Sequence, residues 1–448
     1  LTGKLDRRLI DVWETANKSG TGVALTKLKN LKVNLAENGQ DVVVVALLED
    51  GADLEEVERQ IKACGAVIIR SGAGSLKATV PIGRLDKVAL VSGVRNVRPL
   101  LPPRKRNTTM TEGIPVTLAN AWHSAALTGQ GVKVAVVDSE FSNLATLKAQ
   151  DEIPVAATET NFTETAMTGG TGVHGSACAE TVYDMAPGVQ MYLIKVDDPT
   201  DLVLAKDYCI AKGINLVTCS LGWDCLNFHD GVAYANWFTT GANHPVKAVE
   251  DAAAAGILWV NAAGNEQRQQ TTIDWRDADA YDDVDWDSDS AWLNQLWVNG
   301  SYTVPAGTYI NVIMTWNQWP TTSQDFDVAL WMYNGSGLTL QAVGAETQNG
   351  DSHSYPYEEI QFVTTNTAKF FVSVQKYSAS AAPKFILRYY CYNSVGQNIE
   401  PYYYGYDNYT TPIPGSVCIP ADSASAFTVG ALDYATYTTG TIEWFSSL

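Results

Sequence analysis

Five histidines occur in the 448-residue sequence, at positions 123, 174, 229, 244 and 353. Only His174 is framed by glycine and small residues, in "GGTGVHGSACAETVYDMAPGVQMYLIKV" (169–196), which runs straight into an apolar segment. Asp138 closes the apolar run "VKVAVVD" (132–138). A carboxylate at the C-terminal edge of a strand and an imidazole at the first turn of a helix are a pair suited to acid–base work. Glycines let the backbone approach closely, and a short loop into a helix fixes the direction of the ring. Either residue alone is ordinarily structural; the two together are the candidates for catalysis.

The elements that must position them follow from periodicity. From residue 114 the sequence alternates apolar runs with helix-like stretches. The runs are "VKVAVVD", "QMYLIKV" (190–196), "INLVTCS" (214–220) and "ILWVNAA" (257–263), and "HGSACAETVYDMA", "TDLVLAKDYCIAKG" and "VKAVEDAAAAG" lie between them. Near-continuous apolar strands spaced by helices predict an α/β fold with a buried, doubly wound parallel sheet, whose ligands sit beyond the strands' carboxyl ends.

Residues 1–102 read as a small α+β unit. The order "DVVVVALLE", "LEEVERQIKACG", "AVIIR", "SLKATVP", "IGRLDKVALVS" and "VRNVRPL" is β-α-β-β-α-β, a ferredoxin-like split βαβ. A Pro- and Arg-rich stretch covering 103–113 reads as an exposed linker, where nicking concentrates; its run Arg104-Lys105-Arg106 is either a processing site or a solvated charge run. Short alternating strands rich in Trp, without helical segments, fill 269–395 and predict a β-sandwich. "YTVPAG", "INVIMTW", "FDVALWMYN", "KFFVSVQKY" and "KFILRYYCY" are its strands. Residues 396–448 return to the α/β domain, whose first part covers 114–268, so the sandwich is an insertion.

Composition excludes several function classes. A net charge of −19 is unsuited to nucleic acid or an anionic membrane surface as the main partner. The apolar runs are too short to span a bilayer. Seven cysteines (64, 178, 209, 219, 225, 391 and 418) show no paired CxxC spacing, so no zinc site is indicated, although Cys219 and Cys225 could bridge a short loop. Because residue 1 is Leu, a missing signal peptide says little about secretion.

The blocks "VAVVDSE" around Asp138, "GVHGSACAETVYDMAPGVQMYLIKV" around His174 and "ILWVNAAGNE" ending beside Asn265 resemble the motifs of subtilisin-like serine proteases, in that family's chain order. The resemblance implies that Asp138 holds the imidazole, His174 serves as general base and then general acid, and Asn265 donates to the oxyanion. It implies that Ser220, Leu221 and Gly222 of "SLGW" align an extended protein or peptide substrate by β-augmentation. Ala262, Ala263 and Gly264 would line the primary specificity pocket, with room for a bulky apolar side chain. The family location implies a secreted or extracellular enzyme. The first hundred residues resemble the family's propeptide, which occupies its own enzyme's cleft. The insert resembles the pre-peptidase C-terminal type of jelly roll, carried by "YTVPAGTYINVIMTW" and "QDFDVALWMYNGSG".

One departure matters. No "GTSxAxP" block is present, and the nucleophilic serine is expected beyond Leu448, so this chain is expected to bind without acylating. Ser446 and Ser447 match structural positions, and Ser176 shares the histidine's helix. No cofactor is expected for the chemistry. Calcium is an option at the acidic run "DWRDADAYDDVDWDSDS" (274–290), which holds eight aspartates. The rival function is a non-catalytic peptide- or carbohydrate-binding pseudoprotease, with "WNQWP" and "YYYGY" as stacking surfaces. A nucleotide-binding domain is discounted, because "VVDSEFSN" lacks the GxGxxG turn.

Overall fold

Apolar runs become strands wherever both of their faces are covered, and the first of them shows how. In the computed structural model, β1 (Asp41–Leu48) alternates between two apolar clusters. Val42, Val44, Ala46 and Leu48 meet Leu9, Val12, Val57 and Ile61, while Val43, Val45 and Leu47 meet Leu100 on the other side. The structure describes residues 3–31, 33–36, 38–72, 74–100, 104–105, 113–277, 280–286, 292–298, 301–393, 401–403, 415–443 and 445–447.

The chain divides into two compact units. The first holds Leu1–Trp223, Gly231–Gly264 and Cys418–Glu443, and the second holds Asp224–Asp230, Asn265–Val417 and Trp444–Leu448. The first unit begins with α1 (Arg7–Ser19) and α2 (Thr21–Asn30), two helices that precede the expected β-α-β-β-α-β order and were not part of it. The Asp6 side chain accepts from the Arg8 N–H and caps α1. After β1 come α3 (Leu54–Ala63), β2 (Val67–Gly72), β3 (Ser75–Pro81), α4 (Leu85–Ala89) and β4 (Val94–Pro99). The four strands form an antiparallel sheet in the order β2-β3-β1-β4. A two-residue strand, β5 (Arg104–Lys105), follows.

Three short helices, α5 (Gly113–Thr117), α6 (Ala119–Ser124) and α7 (Leu144–Ala149), flank β6 (Lys133–Asp138). Next come β7 (Thr158–Asn161), α8 (His174–Met185), β8 (Gln190–Lys195), α9 (Pro199–Lys212), β9 (Leu216–Cys219) and β10 (Leu221–Gly222). The unit continues with α10 (Pro245–Ala254) and β11 (Leu258–Ala262). The helix α9 is well delimited: Asp198 caps it, Pro199 opens it and Gly213 ends it in the left-handed conformation.

The second unit contains β12 (Gln270–Asp274), β13 (Asn294–Val298), β14 (Tyr309–Trp316), β15 (Asp325–Tyr333), β16 (Leu338–Gly344), β17 (Tyr357–Val363), β18 (Lys369–Ser378), β19 (Lys384–Tyr392) and β20 (Pro401–Tyr403). They form two antiparallel sheets, ordered β12-β19-β14-β17 and β16-β15-β18-β13-β20. Trp316, Phe326, Phe370, Phe385 and Tyr389 fill the core of this unit. The expected strand at "YTVPAG" is not one: Pro305 and Gly307 make a turn there, and only Val304 makes a bridge, to Ala368. The last strand, β21 (Phe427–Val429), belongs to the first unit and completes a six-stranded parallel sheet ordered β21-β11-β9-β6-β8-β7. The chain thus combines an α/β parallel sheet with antiparallel and all-β parts.

All seven cysteines are free, so the suggested Cys219–Cys225 bridge is absent. Cys219 ends β9 in the parallel sheet, whereas Cys225 packs with Ile313 and Tyr390 in the second unit. Burial raises the Cys219 thiol well above its ordinary range.

Candidate active site

The end of β6 and the start of α8 are fastened together by main-chain and hydroxyl hydrogen bonds. The Gly175 N–H donates to the Glu140 carbonyl (2.8 Å), and the Ser142 N–H donates to the Gly172 carbonyl (3.1 Å). The Ser142 hydroxyl donates to that same carbonyl (2.6 Å), and the Ser176 hydroxyl donates to the Ser142 carbonyl (2.6 Å). Within this clasp, the Asp138 and His174 side chains meet: Nδ1 of His174 lies 2.7 Å from Oδ2 of Asp138. The other carboxylate oxygen, Oδ1, accepts from the backbone N–H groups of Ser139 (2.8 Å) and Glu140 (3.3 Å). Asp138 is fully buried and His174 is nearly so. A carboxylate only accepts, so Nδ1 carries the proton and Nε2 is left as the basic nitrogen.

Gly175 sits where nothing larger fits. A Cβ built there would stand 2.6 Å from the Asp138 Cβ and 2.6 Å from the Glu140 carbonyl oxygen. Gly175→Ala therefore pushes α8 off β6. We expect a loss of about 1–3 kcal/mol in stability, as for overpacked cores, together with loss of the Asp138–His174 hydrogen bond. Urea unfolding reads the first and histidine NMR the second.

A metal is the competing use of this cluster. Asp138, His174 and Cys178 each bring one ligand atom within 4.8 Å of the others, the one such group of His, Cys, Asp and Glu found among the described residues. Oxygen, nitrogen and sulfur ligands together suit a soft divalent ion. Here Nδ1 and Oδ2 already satisfy each other at 2.7 Å, so the arrangement favours a hydrogen-bonded dyad.

The remaining candidates fall on two neighbouring strand ends and across the division into units. Leu221 and Gly222 form β10, which pairs antiparallel with β5, Leu221 opposite Lys105 and Gly222 opposite Arg104. Ser220 precedes it and is half-buried. The backbone of the next residue, Trp223, exchanges hydrogen bonds with Ile419 (2.8 and 3.0 Å). Ala262 ends β11; the Ala263 N–H donates to the Val429 carbonyl (2.8 Å), and the Ala263 carbonyl accepts from the Cys418 N–H (2.8 Å). Gly264 has a φ of 121°, which favours glycine. Asn265 opens a segment of the second unit, where its N–H donates to the Glu266 side chain (2.8 Å). The Ser447 hydroxyl also lies against Glu266, and Ser446 and Ser447 are buried. Of the acidic run 274–290, residues 278–279 and 287–290 lie outside the described residues, as does Arg106 of the basic run.

Sequence reasoning missed Asn261. It is fully buried in β11, and its Nδ2 donates to the carbonyls of Leu221 and Ala262 (3.1 Å each) while Oδ1 accepts from Trp259 Nε1 (3.1 Å). It ties β10 to the end of β11. An Asn inside an apolar strand is the signal, since a buried amide must find partners.

No family model matches the sequence. Subtilisin E of Bacillus subtilis (strain 168) is 29% identical over 171 residues, 36% of this chain and 41% of the relative. The subtilisin of Bacillus pumilus is also 29% identical over 171 residues, covering 36% of this chain and 57% of the relative. The chain thus spans about half the length of these curated relatives. Among solved structures, the Clostridium perfringens CspB protease aligns over 73% of both chains, with 10% identity and a TM-score of 0.40, too loose to bear on the fold. About a third of the chain is thus similar in sequence to subtilisins.

Proposed function

We propose that this chain is the zymogen of a secreted subtilisin-like serine endopeptidase. The observation that carries the reading is the 2.7 Å contact between Nδ1 of His174 and Oδ2 of Asp138, at the C-terminal end of a parallel strand. In this reading Asp138 holds the ring so that Nε2 takes the proton of a serine hydroxyl, then stabilises the imidazolium that forms. The serine oxygen attacks the peptide carbonyl, and His174 returns its proton to the leaving amine. The Asn265 amide donates to the oxygen that gains charge. Ser220, Leu221 and Gly222 hold the substrate backbone, and Ala262, Ala263 and Gly264 line the pocket for the side chain before the cut.

The nucleophile is assigned to a serine other than Ser176, Ser446 and Ser447. The Ser176 hydroxyl is spent on the Ser142 carbonyl. Residues 1–102 are assigned as an inhibitory propeptide, with the start of the linker that follows it lying along the substrate edge; the antiparallel pairing of β5 with β10 supports this, because a substrate strand would pair in that way. The chemistry calls for no cofactor, and calcium is assigned at most a structural part.

The test uses the longest natural product of the gene and a fluorophosphonate, which labels activated serines. Labelling that disappears in His174→Ala supports the reading. No labelling and no peptide hydrolysis in that product would leave a peptide-binding pseudoprotease instead.

A further inference from the structure

Cys178 has no part in the proteolytic chemistry, yet its sulfur lies beside the residues that do. It follows His174 by four positions on α8, which puts the two side chains on one face of the helix. One ligand atom each from Asp138, His174 and Cys178 falls within 4.8 Å of the other two. All three residues are buried, and Cys178 borders the apolar cluster of Val136, Phe141, Leu144 and Met191. A second thiol, Cys219, ends β9 opposite Val137, close enough to Asp138 and Cys178 for their charges to act on it.

We propose that Asp138, His174 and Cys178 also form a binding site for one soft divalent cation, zinc or cadmium, which takes the imidazole out of its pairing with the carboxylate and switches the site off. The loss of hydrolysis rests on the proteolytic reading; the binding does not. The donor set selects the ion, because thiolate and imidazole favour zinc and its heavier congener, whereas calcium and magnesium take oxygen. Three protein ligands with a fourth position left to water make an open zinc site. Bonds of about 2.0 Å to nitrogen and oxygen and about 2.3 Å to sulfur place neighbouring ligand atoms of a tetrahedron about 3.3–3.6 Å apart. The Nδ1–Oδ2 contact of 2.7 Å therefore opens by about 0.6 Å, and the sulfur, within 4.8 Å, closes in by about 1 Å at most. Oδ1 keeps its bonds from the Ser139 and Glu140 N–H groups, so only Oδ2 turns to the ion.

Charge sets the valence. A carboxylate and a thiolate bring two negative charges and a neutral ring brings none, so a divalent ion leaves the buried cluster neutral. On binding, the thiol gives its proton to solvent and a sulfur lone pair to the ion. The ring gives its Nδ1 lone pair; its proton leaves Nδ1, and the neutral ring carries one on Nε2 instead. No basic nitrogen is then left for a serine. Without the ion the proton returns to Nδ1 and the hydrogen-bonded dyad is restored.

The experiment titrates cadmium chloride, then zinc chloride, into the full 448-residue chain carrying Cys64→Ser, which removes the one thiol that is not buried. It reads the ultraviolet band of a cadmium–thiolate bond and the histidine ¹⁵N and ¹H spectrum. One cadmium is expected to bind with a thiolate band, to replace the Nδ1 proton of His174 by one on Nε2, and to yield to zinc; a chelator restores the first spectrum. Cys178→Ala is expected to lose the band and to weaken binding by more than about 100-fold, the largest loss that changes outside a metal's own ligands produce. Its Nδ1 proton on His174 checks that the variant has folded. Cys219→Ala, next to the cluster and outside it, is expected to keep both band and affinity. No thiolate band with cadmium in large excess, an Nδ1 proton that persists beside the band, or a band lost in Cys219→Ala and kept in Cys178→Ala would overturn the proposal. If Cys178→Ala does not fold, the movement of the ring proton in the chain that keeps Cys178 decides alone. None of these readouts needs activity, so a failure of fluorophosphonate labelling would sink the proteolytic reading and leave the cation site standing.

Discussion

In any form of the protein that cleaves peptide bonds, Asp138→Asn is expected to lower kcat by about 10⁴-fold while leaving the affinity for a bound peptide nearly unchanged. The carboxylate accepts from Nδ1 of His174, so the ring's proton stays on Nδ1 and Nε2 is the basic nitrogen. An amide at position 138 still fits between the Ser139 and Glu140 N–H groups and the ring. It can meet those two donors with its oxygen only by turning its own N–H₂ toward Nδ1. The ring then carries its proton on Nε2 and has no basic nitrogen to offer a serine. Substrate contacts assigned to β10 are untouched, so the loss falls on kcat rather than KM. Steady-state kinetics against a peptide series makes the comparison.

Arg98→Met is expected to destabilise the first unit by about 3–5 kcal/mol, the cost of stranding a buried charge. Asp198 is fully buried, and its partner's guanidinium donates at 2.8 and 3.3 Å. Burial alone would raise Asp198; the Arg98 charge and hydrogen bonds, then Lys77 and the Thr200 N–H, outweigh it and hold the group at about 2. A carboxyl with a lowered folded value stabilises the protein above its unfolded value near 4. That stability is lost as pH falls from about 4 through about 2, and amounts to about 2–3 kcal/mol. Arg98→Met removes this dependence as well as the stability, and denaturant unfolding between pH 2 and pH 7 measures both.

The parallel sheet was legible because four of its strands are near-continuous apolar runs, of which β6 and β8 are buried on both faces. "VKVAVVD", "QMYLIKV", "INLVTCS" and "ILWVNAA" became β6, β8, β9 and β11 within two residues at each end. β7, with the sequence TETN, carries no apolar signal and owes its strand to pairing with β8. Turn chemistry defeated the expected strand at "YTVPAG", where Pro and Gly outweigh Tyr, Thr and Val.

In the site, Asp138 and His174 were legible from the elements that end and begin at them. The hydroxyls of Ser142 and Ser176 that clasp those elements were not, since nothing local distinguishes them from other serines. Nor was the burial of Lys77 and Arg98, whose aspartate partners lie about a hundred positions further along the chain.

The most direct measurement is ¹⁵N and ¹H NMR of histidine-labelled protein, assigned with His174→Ala. The expected result is a proton on Nδ1 of His174, strongly downfield through its bond to a carboxylate, that vanishes or moves upfield in Asp138→Asn. A His174 ring carrying its proton on Nε2, or one whose signals ignore the change at Asp138, would contradict the pairing on which the catalytic reading stands.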